Sequence, residues 1–148
     1  MIGKLILTHG GLAKELLAAA QVISGRLAGF EALSLDWSEG LEQAKEKIGA
    51  AIGRLDEGQG VLILTDMYGG TPCNLALSFL APGRVEILSG VNLPMVLRLA
   101  CQTENGNDLQ EVARRLQSKA QRSVCLASDM APSCQPAKCE TKIAKPEA

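Results

Sequence analysis

The chain has 148 residues, 47% hydrophobic and 21% charged, enough to bury a core as one domain without disulfide or metal staples. Its net charge of −1 gives no reason to expect nucleic acid or an anionic membrane as a general partner, and aromatics at 3% demand an aliphatic core. No secretory signal core or long apolar span stands out. The five cysteines, Cys73, Cys101, Cys125, Cys134 and Cys139, form no C-x-x-C pair and argue for free thiols in a reducing compartment, so a cytoplasmic location is expected.

Residues Ile2 to Thr8 form an apolar run that predicts a buried first strand, broken by Gly10-Gly11. A helical pattern follows from Leu12, with Leu12, Leu16, Ala19, Ala20 and Ile23 on one face and Gly25 closing it. Phe30 to Leu35 alternates as a second strand. Ser38 is expected to cap a helix in which Leu41, Ala44, Ile48, Ile52 and Leu55 repeat at three- and four-residue steps, and Asp56 to Gly60 is the turn out. Val61 to Thr65 is apolar on both faces, as central parallel strands are. It runs into Asp66-Met67-Tyr68-Gly69-Gly70. Thr71 as N-cap and Pro72 at the first helical position then predict a helix to about Leu80.

Arg84 to Ser89 reads as a fourth strand, ending at Gly90-Val91-Asn92-Leu93, and Pro94 opens a helix to about Cys101. Thr103 to Asn107 is a polar loop, with Asn107 placed to cap a last helix carrying Leu109, Val112, Ala113 and Leu116. A brief β-like run, Ser123 to Ala127, follows. From Ser128 prolines, lysines and glutamates replace the apolar pattern. Residues 1–127 are therefore expected to form the domain and 128–148 a flexible tail or linker stub.

Alternating strands and helices predict an α/β fold: an open, mainly parallel, doubly wound sheet with helices on both faces. Right-handed crossovers place the C-terminal ends of parallel strands on one edge, where sites form near a topological switch point. Three segments reach that edge: Thr8-His9-Gly10-Gly11, Asp66 to Pro72, and Gly90 to Pro94. His9, the only histidine, is the chemical candidate. Neutral imidazole is a good nucleophile near pH 7, provided one nitrogen is free and an acceptor holds the other. Asp66 can be that acceptor if the first and third strands are adjacent, stabilising the cationic ring that develops during transfer. Nδ1–H is assigned to Asp66 and Nε2 to the phosphoryl group. The backbone N–H groups of Gly10, Gly11, Gly69 and Gly70, with the Thr71 hydroxyl, are the candidate hydrogen-bond donors to the phosphoryl oxygens.

Position at a shared edge puts a functional site on an equal footing with a structural histidine but does not by itself select phosphoryl transfer. A hydrolase would want a nucleophile elbow, and no G-x-S-x-G exists. Cys73, in the same stretch, reads better as a buried residue of a helix's first turn. Neither nucleotide-binding glycine fingerprint is present, and one histidine with scattered cysteines makes a zinc site improbable, Cys134 and Cys139 being the weak exception. No cofactor or metal is expected.

Three stretches together carry a resemblance: Leu5-Ile6-Leu7-Thr8-His9-Gly10, Leu64 to Asn74 (LTDMYGGTPCN), and Ser89-Gly90-Val91-Asn92-Leu93-Pro94-Met95. In order, over about residues 1 to 125, they resemble the enzyme IIA component of the mannose class of the bacterial sugar phosphotransferase system. Met67 stands where leucine is usual and Tyr68 where another aromatic is common. The resemblance implies that His9 takes a phosphoryl group from the phosphocarrier HPr and passes it to an enzyme IIB partner, a protein-histidine phosphotransferase role in sugar uptake. It implies that Asp66 orients His9 and that Thr71 with nearby amides holds the phosphoryl group. A homodimer is also implied, in some relatives with a C-terminal antiparallel edge strand exchanged between subunits, for which Ser123 to Ala127 is the segment placed. IIB is then expected as a separate chain. Two rivals remain: a regulatory phospho-switch using the same histidine without transport, and a small-molecule binding domain using the same crevice.

Overall fold

The computed structural model describes residues 1–36, 38–101 and 108–130. Four strands, β1 (Gly3–His9), β2 (Phe30–Leu35), β3 (Val61–Thr65) and β4 (Val85–Ser89), form a wholly parallel sheet in the order β2-β1-β3-β4. The helices are α1 (Leu12–Ser24), α2 (Leu41–Leu55), α3 (Thr71–Leu77), α4 (Leu93–Cys101) and α5 (Leu109–Gln121). The predicted α/β doubly wound sheet is the fold observed.

Side-chain alternation explains why β1 and β3 are mostly apolar on both faces, with Lys4, Thr8 and Thr65 as their buried polar residues. Ile2, Ile6, Leu62 and Leu64 point into one core with α1, α4 and α5, while Leu5, Leu7, Val61 and Ile63 point into the other with α2 and α3. A strand covered on both sides has no solvent face to make polar. Burying each such side chain is worth about 1.5–3 kcal/mol, so the two central strands are the firmest part of the molecule.

The chain leaves β1 through α1 toward β2 on one side, then returns through α2 to β3 on the other. The connections after β1 and β3 therefore diverge, and the C-terminal ends of these two strands flank the switch point.

Several local expectations need correction. On α1 the core side is Ala13 and Ala20, with Leu16 and Leu17 packed beside them, while Leu12, Ala19 and Ile23 are exposed. The helix is apolar nearly all round, so its pattern fits more than one face, and the small alanines allow the closest approach to the sheet. Ser38 does not cap α2: Gly40 holds the cap position, and the Ser38 N–H donates to Asp36 Oδ1 in a turn one step earlier. Gly70 rather than Thr71 occupies the cap of α3, which puts Pro72 at the second helical position. That helix also ends at Leu77, because Phe79 and Leu80 continue as tighter i→i+3 turns.

The residue before α5 is Asp108. Asn107, with the rest of the Thr103–Asn107 loop, lies outside the described residues, as does 131–148 of the expected tail. Ser123 to Ala127 forms no strand in the chain; it runs as a turn and an extended stretch into one 3₁₀ turn, Ala127–Asp129. A segment without a neighbouring strand has no ladder to join. Cys73, buried, and Cys125, exposed, are free thiols.

Candidate functional site

Pairing in register sets the site's geometry. Leu7 of β1 stands opposite Thr65 of β3, so His9 is carried past the point where β3 ends. The chain turns away at Asp66, and the Asp66 carboxylate takes over as acceptor there: Oδ2 receives the His9 backbone N–H at 2.9 Å. The same oxygen lies 2.6 Å from His9 Nδ1. Sequence reasoning brought these two residues together, and the fold places them in contact through both backbone and ring.

Asp66 Oδ1 accepts the Met67 N–H at 2.9 Å. Burial works to raise the carboxyl's pKa. The His9 backbone N–H, the imidazole and the Met67 N–H together outweigh burial and hold Asp66 below the usual carboxylate range. Asp66 is accordingly an anion at neutral pH, aimed at Nδ1. Its side chain is 13% exposed and that of His9 27%, so the ring sits recessed but reachable from the sheet edge.

The β3–α3 loop closes over the ring. A Cβ built on Gly70 would lie 2.8 Å from His9 Cε1, 3.0 Å from Met67 Cγ and 3.4 Å from Nε2. Only a residue without a side chain lets the backbone pass this close. Gly69 turns the chain there with φ of 82°, a left-handed conformation that side chains resist. Gly10 and Gly11 make the exposed turn out of β1, and Thr71 opens α3 with its side chain outside the core. In the same loop Tyr68 is 78% exposed and Met67 also protrudes, as does Leu12 at the start of α1.

Some residues that build the edge were missed. The Thr8 hydroxyl accepts the Ala13 N–H at 2.8 Å, capping α1 where Gly11 has no side chain to offer. Asn92 Oδ1 accepts the Met95 N–H at 3.0 Å and so caps α4. Asn92 was legible, since asparagine two residues before a helix-opening proline is a capping signal. Thr8 was not, because its role depends on how α1 folds back on β1. Among the described residues no group of three or more potential ligands could hold a metal ion, and no helix is long and apolar enough to cross a membrane.

The fold and this edge agree with known proteins. The family model EIIA-man, described as PTS system fructose IIA component, matches residues 3–117. The PTS system fructose-specific EIIA component of Bacillus subtilis is 32% identical over 130 residues, covering 87% of this chain and 88% of that protein. The PTS system mannose-specific EIIAB component of Escherichia coli is 30% identical over 106 residues, 71% of this chain but only 33% of that longer protein. Among solved structures, the mannose/sorbose specific IIA subunit of the phosphotransferase system from Enterococcus faecalis superposes with a TM-score of 0.72 at 32% identity, covering 85% of this chain and 95% of that one. Because the family model takes in both central strands and the His9–Asp66 pair, the chain belongs to the mannose-class EIIA family of the phosphotransferase system.

Proposed function

We propose that His9 is the residue on which this IIA component carries its phosphoryl group, received from phospho-HPr and delivered to an enzyme IIB partner in sugar uptake. The observation that supports this reading best is the 2.6 Å contact between His9 Nδ1 and Asp66 Oδ2. With Nδ1 committed to the carboxylate, Nε2 is the ring nitrogen that attacks. Its lone pair forms the new P–N bond as the bond to the donor's imidazole breaks in line, and the Nδ1 proton stays shared with Asp66. The anionic carboxylate offsets the positive charge that develops on the ring. Backbone N–H groups of Gly10, Gly11, Gly69 and Gly70, with the Thr71 hydroxyl, are the donors for the phosphoryl oxygens.

Both steps exchange one phosphohistidine for another, so the chemistry of this chain needs neither nucleotide nor metal. The recess around His9 suits a partner that presents its own phosphohistidine, and Leu12, Met67 and Tyr68 stand where that partner's surface would lie. We also read residues 1–127 as the IIA domain, acting in the cytoplasm as a homodimer. Val124 and Leu126, exposed in the extended stretch that follows α5, support exchange of a C-terminal edge strand.

Incubation with phosphoenolpyruvate, enzyme I and HPr should add an acid-labile phosphoryl mass to this protein and not to His9→Ala. Label retained on His9→Ala would remove His9 from the role.

A further inference from the structure

Behind the His9–Asp66 pair lies a polar cluster that the phosphoryl chemistry does not use. Thr65 and Ser89, the last residues of β3 and β4, stand opposite each other in register. Their hydroxyl oxygens are 2.7 Å apart. The Cys73 sulfur, in the first turn of α3, lies 3.3 Å from the same Ser89 Oγ. Thr65 is fully buried and Cys73 almost so. The Thr65 carbonyl also accepts the Gly90 and Val91 N–H groups, each at 2.9 Å, so the turn that follows β4 grips this residue through backbone as well.

The placement of these three residues gives the cluster a consequence for the site. The loop 66–70 starts one residue after Thr65 and ends three residues before Cys73. The residues that flank it on either side, Thr65 and Cys73, are therefore both tied to one hydroxyl, that of Ser89. This loop carries Asp66, which holds the imidazole, and Gly70, which presses on it. Aliphatic side chains would fill the same space with no demand for partners, whereas hydrogen bonds add direction.

We propose that Ser89, with Thr65 and Cys73, is a positioning unit that sets the height and tilt of the 66–70 loop against His9. The inference rests on the reading that His9 carries the phosphoryl group. These residues do not touch the transferred group; they act through Asp66 and Gly70. Since a misplacement of about 1 Å can cost on the order of 10²-fold in rate, a loosened loop should lower the maximal rate rather than partner affinity.

The test uses the full chain with Thr65→Val, which keeps the shape and removes the hydroxyl, Ser89→Ala, and Thr65→Ser as the conservative control. Three quantities are read: the rate at saturating phospho-HPr with its KM, the melting temperature, and the imidazole ¹⁵N shifts that report the Nδ1 hydrogen bond. The chain's single histidine makes those resonances unambiguous. The expected result is a loss of about tenfold in kcat for Thr65→Val and Ser89→Ala at unchanged KM, with displaced ring shifts. The variant carrying both Thr65→Val and Ser89→Ala should be no worse than Ser89→Ala alone, which already breaks the links to Thr65 and to Cys73, and Thr65→Ser should behave as wild type. Ser89 lies only partly buried, so Ser89→Ala keeps the test open should Thr65→Val fold poorly. Wild-type kcat and ring shifts in both variants would overturn the proposal. So would a rate loss that follows melting temperature while the ring shifts stay put. Failure of the carrier reading would show separately, as label persisting on His9→Ala, and the ring shifts would still report on the loop.

Discussion

The ends of β1 and β3 and the stretch after α5 make opposite use of the same chemistry. At the first, a backbone N–H and a ring nitrogen share one carboxylate oxygen, and the residues flanking the loop above are both tied to Ser89. At the second, Ser123 is tied to Asn92 Nδ2 at 3.2 Å, and beyond it Val124 and Leu126 are 85% and 66% exposed. The central strands supply every neighbour their side chains need from within the chain. The C-terminal stretch has β-forming side chains and, among the described residues, no strand paired with it. A site held by contacts within the chain and an exposed extended stretch thus stand side by side in one fold.

Changes at the crevice should have the largest effects and changes in the C-terminal stretch the smallest. His9→Ala should abolish labelling by phospho-HPr, read as loss of the acid-labile mass increase. Asp66→Asn keeps the shape but loses the charge and the tautomer preference; it should slow transfer by about 10²-fold or more in a rapid-quench assay while the circular dichroism spectrum stays native. Gly70→Ala drives a methyl group into the ring and Met67. It should cost about 1–3 kcal/mol in urea unfolding and several-fold in transfer rate.

The Asp66 carboxyl is held below its usual range in the folded chain, so the unfolded chain binds the proton more readily. Stability from this pair is present above the ordinary carboxylate pKa of about 4 and is lost as pH falls through the lower folded value. The melting-temperature gap between wild type and Asp66→Asn should therefore persist at pH 7 and close in stronger acid. In the C-terminal stretch, Val124→Asp with Leu126→Asp should alter monomer stability by less than about 0.5 kcal/mol. The same pair should shift the protein to a smaller species in sedimentation if these residues meet a second copy. A dimer unchanged by the double substitution would take the exchanged strand out of the assembly and leave that stretch without a function.

Most of the fold was legible because its strongest signals are local. VLILT has no polar face and had to be central; FEALSL alternates and became β2 over the expected residues. His9 and Asp66 could be paired from sequence because each ends an apolar strand, and strand ends in such sheets share an edge. Legibility failed where several outcomes satisfy the same residues. Leucines and alanines surround α1, so its buried face was set by packing against the sheet and α4, and Leu12 and Ile23 were left outside. Capping was misplaced by one or two residues at α2 and α3, since glycine caps through its backbone and leaves no side-chain signature.

The order of residues by itself determined the four parallel strands, the burial of the central two, and the presence of one imidazole and one nearby carboxylate at strand ends, because periodicity and turn chemistry act over a few residues. Only the tertiary structure decided that Oδ2 of Asp66 would hold both the backbone and the ring of His9, that Gly70 would lie against that ring, and that Ser89 would tie Thr65 and Cys73 on either side of the loop between them. Those contacts link residues far apart in the chain, and their distances follow from strand register and helix packing, which no local pattern specifies.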